Sequence, residues 1–314
     1  MRMVVVGAGL AGLVAARDIQ GAGHEVVVLD KSRSSGGRCA TRRIGDAVLD
    51  HGAQFFTVRS DEFARINDEW LAAGAAREWC RGFGGGDGHP RYCGTHGMTT
   101  ISKHLASGLD VRYGQMVFNI ERASDANGGG AWRVHLDDAT FHDADRVLVT
   151  CPVPQSMALL VDADLQVPDA IRTIEYDKTI AALVVVEGDS AIPEPGGVQD
   201  ADTTFSFVAD NRRKGVSPVG ALTFHCNPAF SEARWWGDAA QSHAEVMELA
   251  RPWIGAARIV EHQPKRWRMA TPRTTWPERC WSSDGVVLAG DAFGGPRVEG
   301  AVLSGLAAAR HVLE

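Results

Sequence analysis

Met3-Val4-Val5-Val6-Gly7-Ala8-Gly9-Leu10-Ala11-Gly12 begins as an apolar run and breaks into a G-x-G-x-x-G pattern. Val4 to Val6 are β-branched with no polar alternation, the pattern of a parallel strand buried on both faces. Gly7 permits the tight turn, Gly9 lets the main chain approach a pyrophosphate, and Gly12 lets the next helix pack on the strand. That helix, starting at Leu10 and Ala11 and running to about Gln20, points free N–H groups and its positive dipole end at the phosphates. Gly21 to Gly23 stop it, and His24-Glu25-Val26-Val27-Val28-Leu29-Asp30 reads as the second strand. Asp30, 18 residues after Gly12, stands where an acid would hydrogen-bond the adenosine ribose, near the spacing of about 20 seen in such units. Taken alone, this unit does not separate NAD from FAD.

The far end of the chain carries a second segment of the same kind. Val286-Val287-Leu288-Ala289-Gly290-Asp291 is again an apolar run breaking at Gly-Asp, followed by Arg297-Val298-Glu299-Gly300-Ala301. Two dinucleotide-holding segments so far apart point to FAD. Asp291, after Gly290, is placed to accept hydrogen bonds from ribityl hydroxyls. A helix beginning near Glu299, Gly300 and Ala301 would aim its N–H groups at the pyrimidine end of the flavin, and Arg297 would add to that positive field. Between the two ends, Gly36-Gly37-Arg38 lets main chain pass close to the cofactor at Gly37 while Arg38 offers a fork to phosphate.

Composition sets the remaining bounds. The 314 residues suit two domains, and 45% hydrophobic content fills two cores. A net charge of −7 argues against a nucleic-acid surface or an anionic membrane as partner. No apolar stretch reaches the roughly 20 residues of a spanning helix, and the glycine-interrupted start does not read as a signal peptide. Six scattered cysteines without a CxxC pair suggest reduced thiols in a cytoplasmic protein. Eleven histidines without ligand spacing give no reason to expect a metal. Oligomeric state is not legible.

The expected architecture is α/β: a Rossmann-type FAD-binding domain with a discontinuous second α+β domain for the substrate. The first would comprise residues 1–56, 95–155 and 280–314, and the second residues 57–94 and 156–279. Gly97-Met98-Thr99-Thr100 starts a short amphipathic helix. Val111 to Arg122 and Trp132 to Leu136 read as a hairpin turning through Asn127-Gly128-Gly129-Gly130, and Gly82 to Gly88 forms a glycine-rich loop. Arg146 to Pro152 returns a buried strand to the first sheet. Ile180–Val186 and Gly220–His225 read as strands of the second domain, with a helix around Gln241–Trp253.

The ordered blocks Gly7 to Gly12, Asp30-Lys31-Ser32-Arg33, Gly36-Gly37-Arg38, Asp50-His51-Gly52-Ala53-Gln54-Phe55-Phe56-Thr57, Gly97-Met98 and Gly290-Asp291 with Arg297 to Ala301 resemble those of bacterial renalase-type flavoproteins. These belong to the wider amine-oxidase and p-hydroxybenzoate-hydroxylase-like group. The resemblance extends from residue 1 to about 312. It implies that Lys31 lies with Asp30 in the cofactor segment. It also implies that Asp50 to Thr57 runs beneath the isoalloxazine, with Gln54 at its polar edge and Phe55 and Phe56 as contacts or core. His225, Trp267 and Asn211 would face the substrate, although Gly215 stands where the family has a proline after its lysine. The implied reaction is oxidation of 2- and 6-dihydro isomers of NAD(P)H to NAD(P)+, with electrons passing to O2 to give hydrogen peroxide. A dihydropyridine loses hydride directly to an aromatic cation, so the absence of a Ser-His-Asp set or carboxylate pair is no obstacle.

Amine oxidation is the main alternative, with Lys178 and Lys265 as candidates for holding a water beside the flavin. A flavin-binding protein without turnover is another, because binding and catalysis share the glycine motifs. An NAD-dependent dehydrogenase is disfavoured by the Gly-Asp segment, and a desaturase by the want of a broad apolar mouth.

Overall fold

The computed structural model describes residues 1–84, 88–123 and 131–314. Its first sheet has six strands in the order Trp281–Ser283, Val286–Leu288, Arg146–Val149, Arg2–Val6, Glu25–Asp30 and Asp110–Tyr113. All pair in parallel except Trp281–Ser283, which runs antiparallel to its neighbour. Val4, Val5 and Val6 are buried, as the unalternated apolar run requires. From Arg2–Val6 the chain moves through the helix Leu10–Gly21 to one side, while Arg146–Val149 lies on the other. Strand order therefore reverses beside Arg2–Val6, the position where open α/β sheets form a ligand crevice at their carboxyl ends.

Two helices begin at that same edge, because each follows a parallel strand: Leu10–Gly21 after Arg2–Val6 and Val298–Leu313 after Val286–Leu288. They pack against each other through Gly305, where an added Cβ would stand 2.3 Å from the Ala11 carbonyl oxygen. Their core also takes in Phe63 and Trp70 of the helix Asp61–Ala72. Residues expected in the second domain thus bury against the first sheet. The other face of the sheet is covered by the three-stranded sheet Val117–Arg122, Trp132–Leu136 and Phe141–Ala144, and by apolar residues from Leu160 to Ile174.

The expected hairpin partner of Trp132–Leu136 is only the second half of Val111 to Arg122, which is split between two sheets. Val111 pairs with Val28 in the first sheet, whereas Ile120 pairs with Val134 in the second. Gly114, at φ +71°, turns the chain between them, and the Gly114 and Gln115 amides donate to Ser32 and Asp30. The turn at Asn127 to Gly130 and the loop centre at Gly85 to Asp87 lie outside the described residues.

A five-stranded antiparallel sheet, Gly197–Gln199, Phe205–Asp210, Gly220–Cys226, Tyr176–Glu187 and Arg258–Pro272, forms the second layer. One face buries Ile180, Ala182, Val184 and Phe224 against the helix Ala239–Ile254. The other face meets the hairpin Thr41–Ile44 and Ala47–Asp50, with Leu49 packed on Leu183 and Ala221. Alternation along the strands thereby turns Ala181, Thr223, His225 and Lys265 away from the second core. Among the described residues the cysteines are all free, no helix is long and apolar enough to cross a membrane, and no group of three or more His, Cys, Asp or Glu could hold a metal.

Gly305→Ala is expected to force apart the two helices that begin at the crevice, at a cost of about 1–3 kcal/mol. Thermal unfolding followed by flavin absorbance should show a lower Tm and earlier cofactor release. An unchanged melting curve would contradict the close approach.

Candidate active site

The loops at the carboxyl edge are tied together through main chain. Gly36 N–H donates to Ala8 C=O at 2.9 Å, Ala53 N–H to Arg38 C=O at 2.8 Å, and His51 N–H to Ala40 C=O at 3.0 Å. Asp30 ends its strand half-buried and fixes the glycine loop, with Oδ2 accepting from Ala8 N–H and Oδ1 from Ser32 N–H, both at 2.7 Å. Lys31 beside it is exposed. Leu10, Ala11 and Gly12 form the buried first turn of a helix whose N-cap, Gly9, supplies no side-chain cap. Space beside Gly9 is open, and the Gly37 backbone lies across it, with an added Cβ at Gly37 reaching Gly9 Cα at 3.7 Å.

The C-terminal helix is built alike. Its N-cap, Arg297, adopts φ +100° and gives no side-chain cap. Such a conformation is costly for any residue but glycine and collects at functional sites. Gly290 N–H donates to Ser304 Oγ at 2.8 Å. Gly300 and Ala301 lie in the first turn. The Glu299 carboxylate accepts from Ser60 N–H and Oγ and from Arg59 N–H, at 2.7–2.9 Å. That carboxylate caps the approach to the helix Asp61–Ala72, while the Glu299 main chain stays in the first turn of the C-terminal helix. Arg38 and Asp291, assigned separate contacts by the sequence, bind each other bidentately at 2.6 and 2.7 Å.

Between these loops and the five-stranded sheet lies a buried network centred on Asp50. Lys214, wholly buried, donates to Asp50 Oδ2 at 2.7 Å and to Gln54 C=O at 2.5 Å. Asp50 Oδ1 accepts from Thr41 Oγ1 and Met98 N–H, and Asp50 C=O accepts from Gln54 Nε2 and Thr223 Oγ1. Asp50 N–H donates to Asn211 Oδ1 at 3.2 Å, while Asn211 Nδ2 donates to Ala221 C=O and Thr223 Oγ1. Asn211 is 0% exposed, so it stands behind the pocket wall, correcting its expected contact with substrate. The pairing of Lys214 with Asp50 is not legible in the sequence, because an ion pair separated by 164 residues leaves no local spacing to detect.

His51, next to Asp50, brings His225 and Trp267 together. Its carbonyl accepts from His225 Nε2 at 3.1 Å and from Trp267 Nε1 at 2.7 Å, and its ring stacks on Trp267 at 5.4 Å and 19°. Burial lowers both imidazoles to about 4 from an ordinary 6.5; Lys265 and His225 add to the effect at His51. Both rings are therefore neutral at neutral pH. Phe55, Trp79, Phe83 and Phe207 make an aromatic wall with centroids 5.2–6.4 Å apart, and Phe207 pairs with His225 across the sheet. Phe56 instead belongs to the core, packed on Phe63, Trp70 and Tyr92.

Of the two candidate lysines, Lys178 is bound by Glu232 at 2.7 Å, whereas Lys265 lies 4.8 Å over the Trp267 ring. Burial pushes the Cys39 thiol up to about 12 and Cys151 to about 11, so neither offers a thiolate.

The residues present fit a flavin dinucleotide. Two uncapped helix N-termini meet one crevice, Gly9 leaves room for a pyrophosphate, and Gln54 Oε1 and His51 Nδ1 are buried without a protein partner. Comparison with known proteins agrees. Residues 5–70 match the NAD(P)-binding Rossmann-like domain and residues 62–313 match the flavin containing amine oxidoreductase family. A Mycobacterium tuberculosis protein assigned as a flavin-containing monoamine oxidase is 44% identical over 67 residues, which are 21% of this chain and 15% of that protein's length. Putrescine oxidase bound to putrescine superposes with a TM-score of 0.73 at 16% identity, covering 100% of this chain and 99% of the other. An Exiguobacterium protein assigned as a protoporphyrinogen oxidase gives 0.73 at 14%, covering 99% and 98%. At these identities the superpositions show the fold.

Lys214→Met leaves Asp50 charged and buried, and is expected to destabilise the protein by about 3–5 kcal/mol. Adding Asp50→Asn should recover part of that loss in denaturant unfolding; no recovery would mean that the pair is not coupled. A pH prediction follows from the imidazoles. Below an unfolded value near 6.5 the unfolded chain takes up protons that folded His51 and His225 refuse. Stability should therefore fall as pH drops from about 6.5 to about 4, by up to about 1.4 kcal/mol per pH unit for each group. His225→Gln should flatten that slope, and an equal slope in both proteins would rule His225 out as a contributor.

Proposed function

The chain belongs to the flavin-containing amine oxidoreductase family, with FAD as its cofactor, and we propose that it oxidises 2- and 6-dihydro isomers of NAD(P)H in the manner of renalase. The reading rests on one observation. The surface around His225 and Trp267 offers flat rings and neutral imidazoles, while the nearby carboxylate, Asp50, is consumed by Lys214. An alkylammonium substrate needs a counter-charge or a base to neutralise it; a dihydropyridine needs neither. When bound, FAD supplies the hydride acceptor and passes the electrons to O2, giving hydrogen peroxide.

The protein's own residues do the holding. Gly7, Gly9, Gly12, Gly37 and Asp30 would seat the adenosine diphosphate half, with Lys31 at its exposed edge. Gly290, Asp291, Arg297, Gly300 and Ala301 would seat the flavin half. Gln54 Oε1, lacking a protein partner, would accept from the ring's polar edge. Trp267, stacked on His51, and Phe55 in the aromatic wall would clamp the substrate ring flat, bringing its donor carbon to roughly 3–3.5 Å from the acceptor. His225 Nε2 is engaged by the His51 carbonyl, so its Nδ1 is the atom left to orient a substrate amide. Asn211 and Lys214 act as positioning residues through Asp50. The hydride leaves without a proton, so none of these groups acts as a base.

Amine oxidation is the second reading, supported by the family and by Lys265, which burial and Arg42 hold below the ordinary lysine value. Lys178 is withdrawn from that role by its pairing with Glu232.

An anaerobic stopped-flow titration of the flavoprotein decides between them. Rapid bleaching of the flavin band by the 2- and 6-dihydro isomers, with slow or no bleaching by ordinary NADH and amines, is expected. Bleaching by amines alone would make the protein an amine oxidase. A flavin reduced by neither would end the proposed substrate assignment.

A further inference from the structure

Among the described residues, two cations near the His51–Trp267 stack have side chains with no hydrogen bond or ion pair. Lys265 lies on the strand Arg258–Pro272, opposite Ala181 in register and two residues before Trp267, with its ammonium 4.8 Å over that ring. Arg42 comes from the other side, on the strand Thr41–Ile44, whose hairpin packs on the five-stranded sheet through Leu49, Leu183 and Ala221. Arg42 is exposed and Lys265 half-buried. Of the other cations on or beside these strands, Lys178 is matched by Glu232, Arg258 by Glu187 and Arg273 by Glu175 and Asp177, whereas Arg43 and Arg268 also lack an ion pair among the described residues; Arg42 and Lys265 are set apart by their place beside the stack.

The two charges also act on one another and on the ring beneath them. Arg42 depresses Lys265, after burial, and both depress His51. No carboxylate offsets Lys265; the charge that registers on it is Arg42. Folding has thus brought two like charges together next to a stacked aromatic pair, which is unfavourable for the protein alone and favourable once an anion lies between them.

We propose that Arg42 and Lys265 form an anion subsite at the edge of the substrate pocket, and that it takes the diphosphate of a pyridine nucleotide. Two positive charges match the two negative charges of a diphosphate, and the guanidinium fork suits phosphate oxygens bidentately. The amino-acid carboxylate is the competing anion, with a single charge. A diamine would meet repulsion from both residues. The ligand's identity rests on the dihydropyridine reading, whereas the subsite rests on the unpaired cations.

Binding to the oxidised holoenzyme, measured by titration calorimetry without turnover, tests this. The probes are ADP-ribose, inorganic pyrophosphate, an aromatic amino acid and uncharged adenosine. ADP-ribose and pyrophosphate should bind the wild-type protein, with affinity falling as salt rises. Arg42→Gln and Lys265→Gln should each weaken that binding about tenfold or more, while Arg42→Lys retains most of it. Arg42 is exposed and Lys265 half-buried, and flavin content reports the folding of each variant. Failure of the diphosphates to bind, or binding by both Gln variants as tight as by the wild-type protein, overturns the subsite. Dependence on the two cations shown by the amino acid and not by the diphosphates overturns the nucleotide assignment. If dihydropyridines fail to reduce the flavin yet ADP-ribose still depends on both cations, the redox reading falls and the subsite stands.

Discussion

Everything around the pocket hangs on a single buried ion pair. Lys214 and Asp50 are both 0% exposed and 2.7 Å apart, and charges taken out of water to that degree require that every remaining lone pair and proton be satisfied. Thr41 Oγ1 and Met98 N–H complete the carboxylate, while Gln54, Thr223 and Asn211 bond the main chain of Asp50. These come from the N-terminal hairpin, the loop that follows Asp50, the turn at Gly97, the strand Gly220–Cys226 and the turn after Phe205–Asp210, so satisfying one residue locks distant parts of the fold together. Specificity of arrangement, more than net stability, is what such a pair offers.

The consequence reaches the neighbours of Asp50. His51 is fixed by the main chain on either side, and its carbonyl in turn orients His225 and Trp267. Gln54 is held through Nε2 and its own carbonyl, leaving Oε1 unpaired. Rings and amide are thus pre-set before any ligand arrives, which reduces the ordering cost of binding. The crevice opposite is prepared by different means, with two helix N-termini left uncapped and one arginine, Arg297, held in strained backbone. In the proposed reading, cofactor side and substrate side meet along residues 50–54.

Electrostatically the site is sparing. Its imidazoles are neutral because burial and nearby cations disfavour their protonation, and its carboxylate is spent on Lys214. Beside the ring stack, positive charge is left without an ion pair among the described residues at Arg42 and Lys265. That balance suits a neutral ring carried on an anionic tail.

The sequence by itself determined the Rossmann unit, the parallel strands at both ends of the chain and the helices that follow them, because glycine spacing and β-branched runs are local properties that survive without tertiary context. It also singled out His225 and Trp267, through local resemblance. Only the tertiary structure decided the rest. It split Val111 to Arg122 between two sheets, because Gly114 turns the chain and the pairing partners are distant. It carried Phe63, Trp70 and Phe56 into the first core, turned Glu299 toward Ser60, and put Asn211 behind the wall rather than in it. It exposed the Lys214–Asp50 pair and the Arg42–Lys265 pair. Each joins residues far apart in sequence, and a charge becomes informative only when burial and neighbours determine whether it is satisfied.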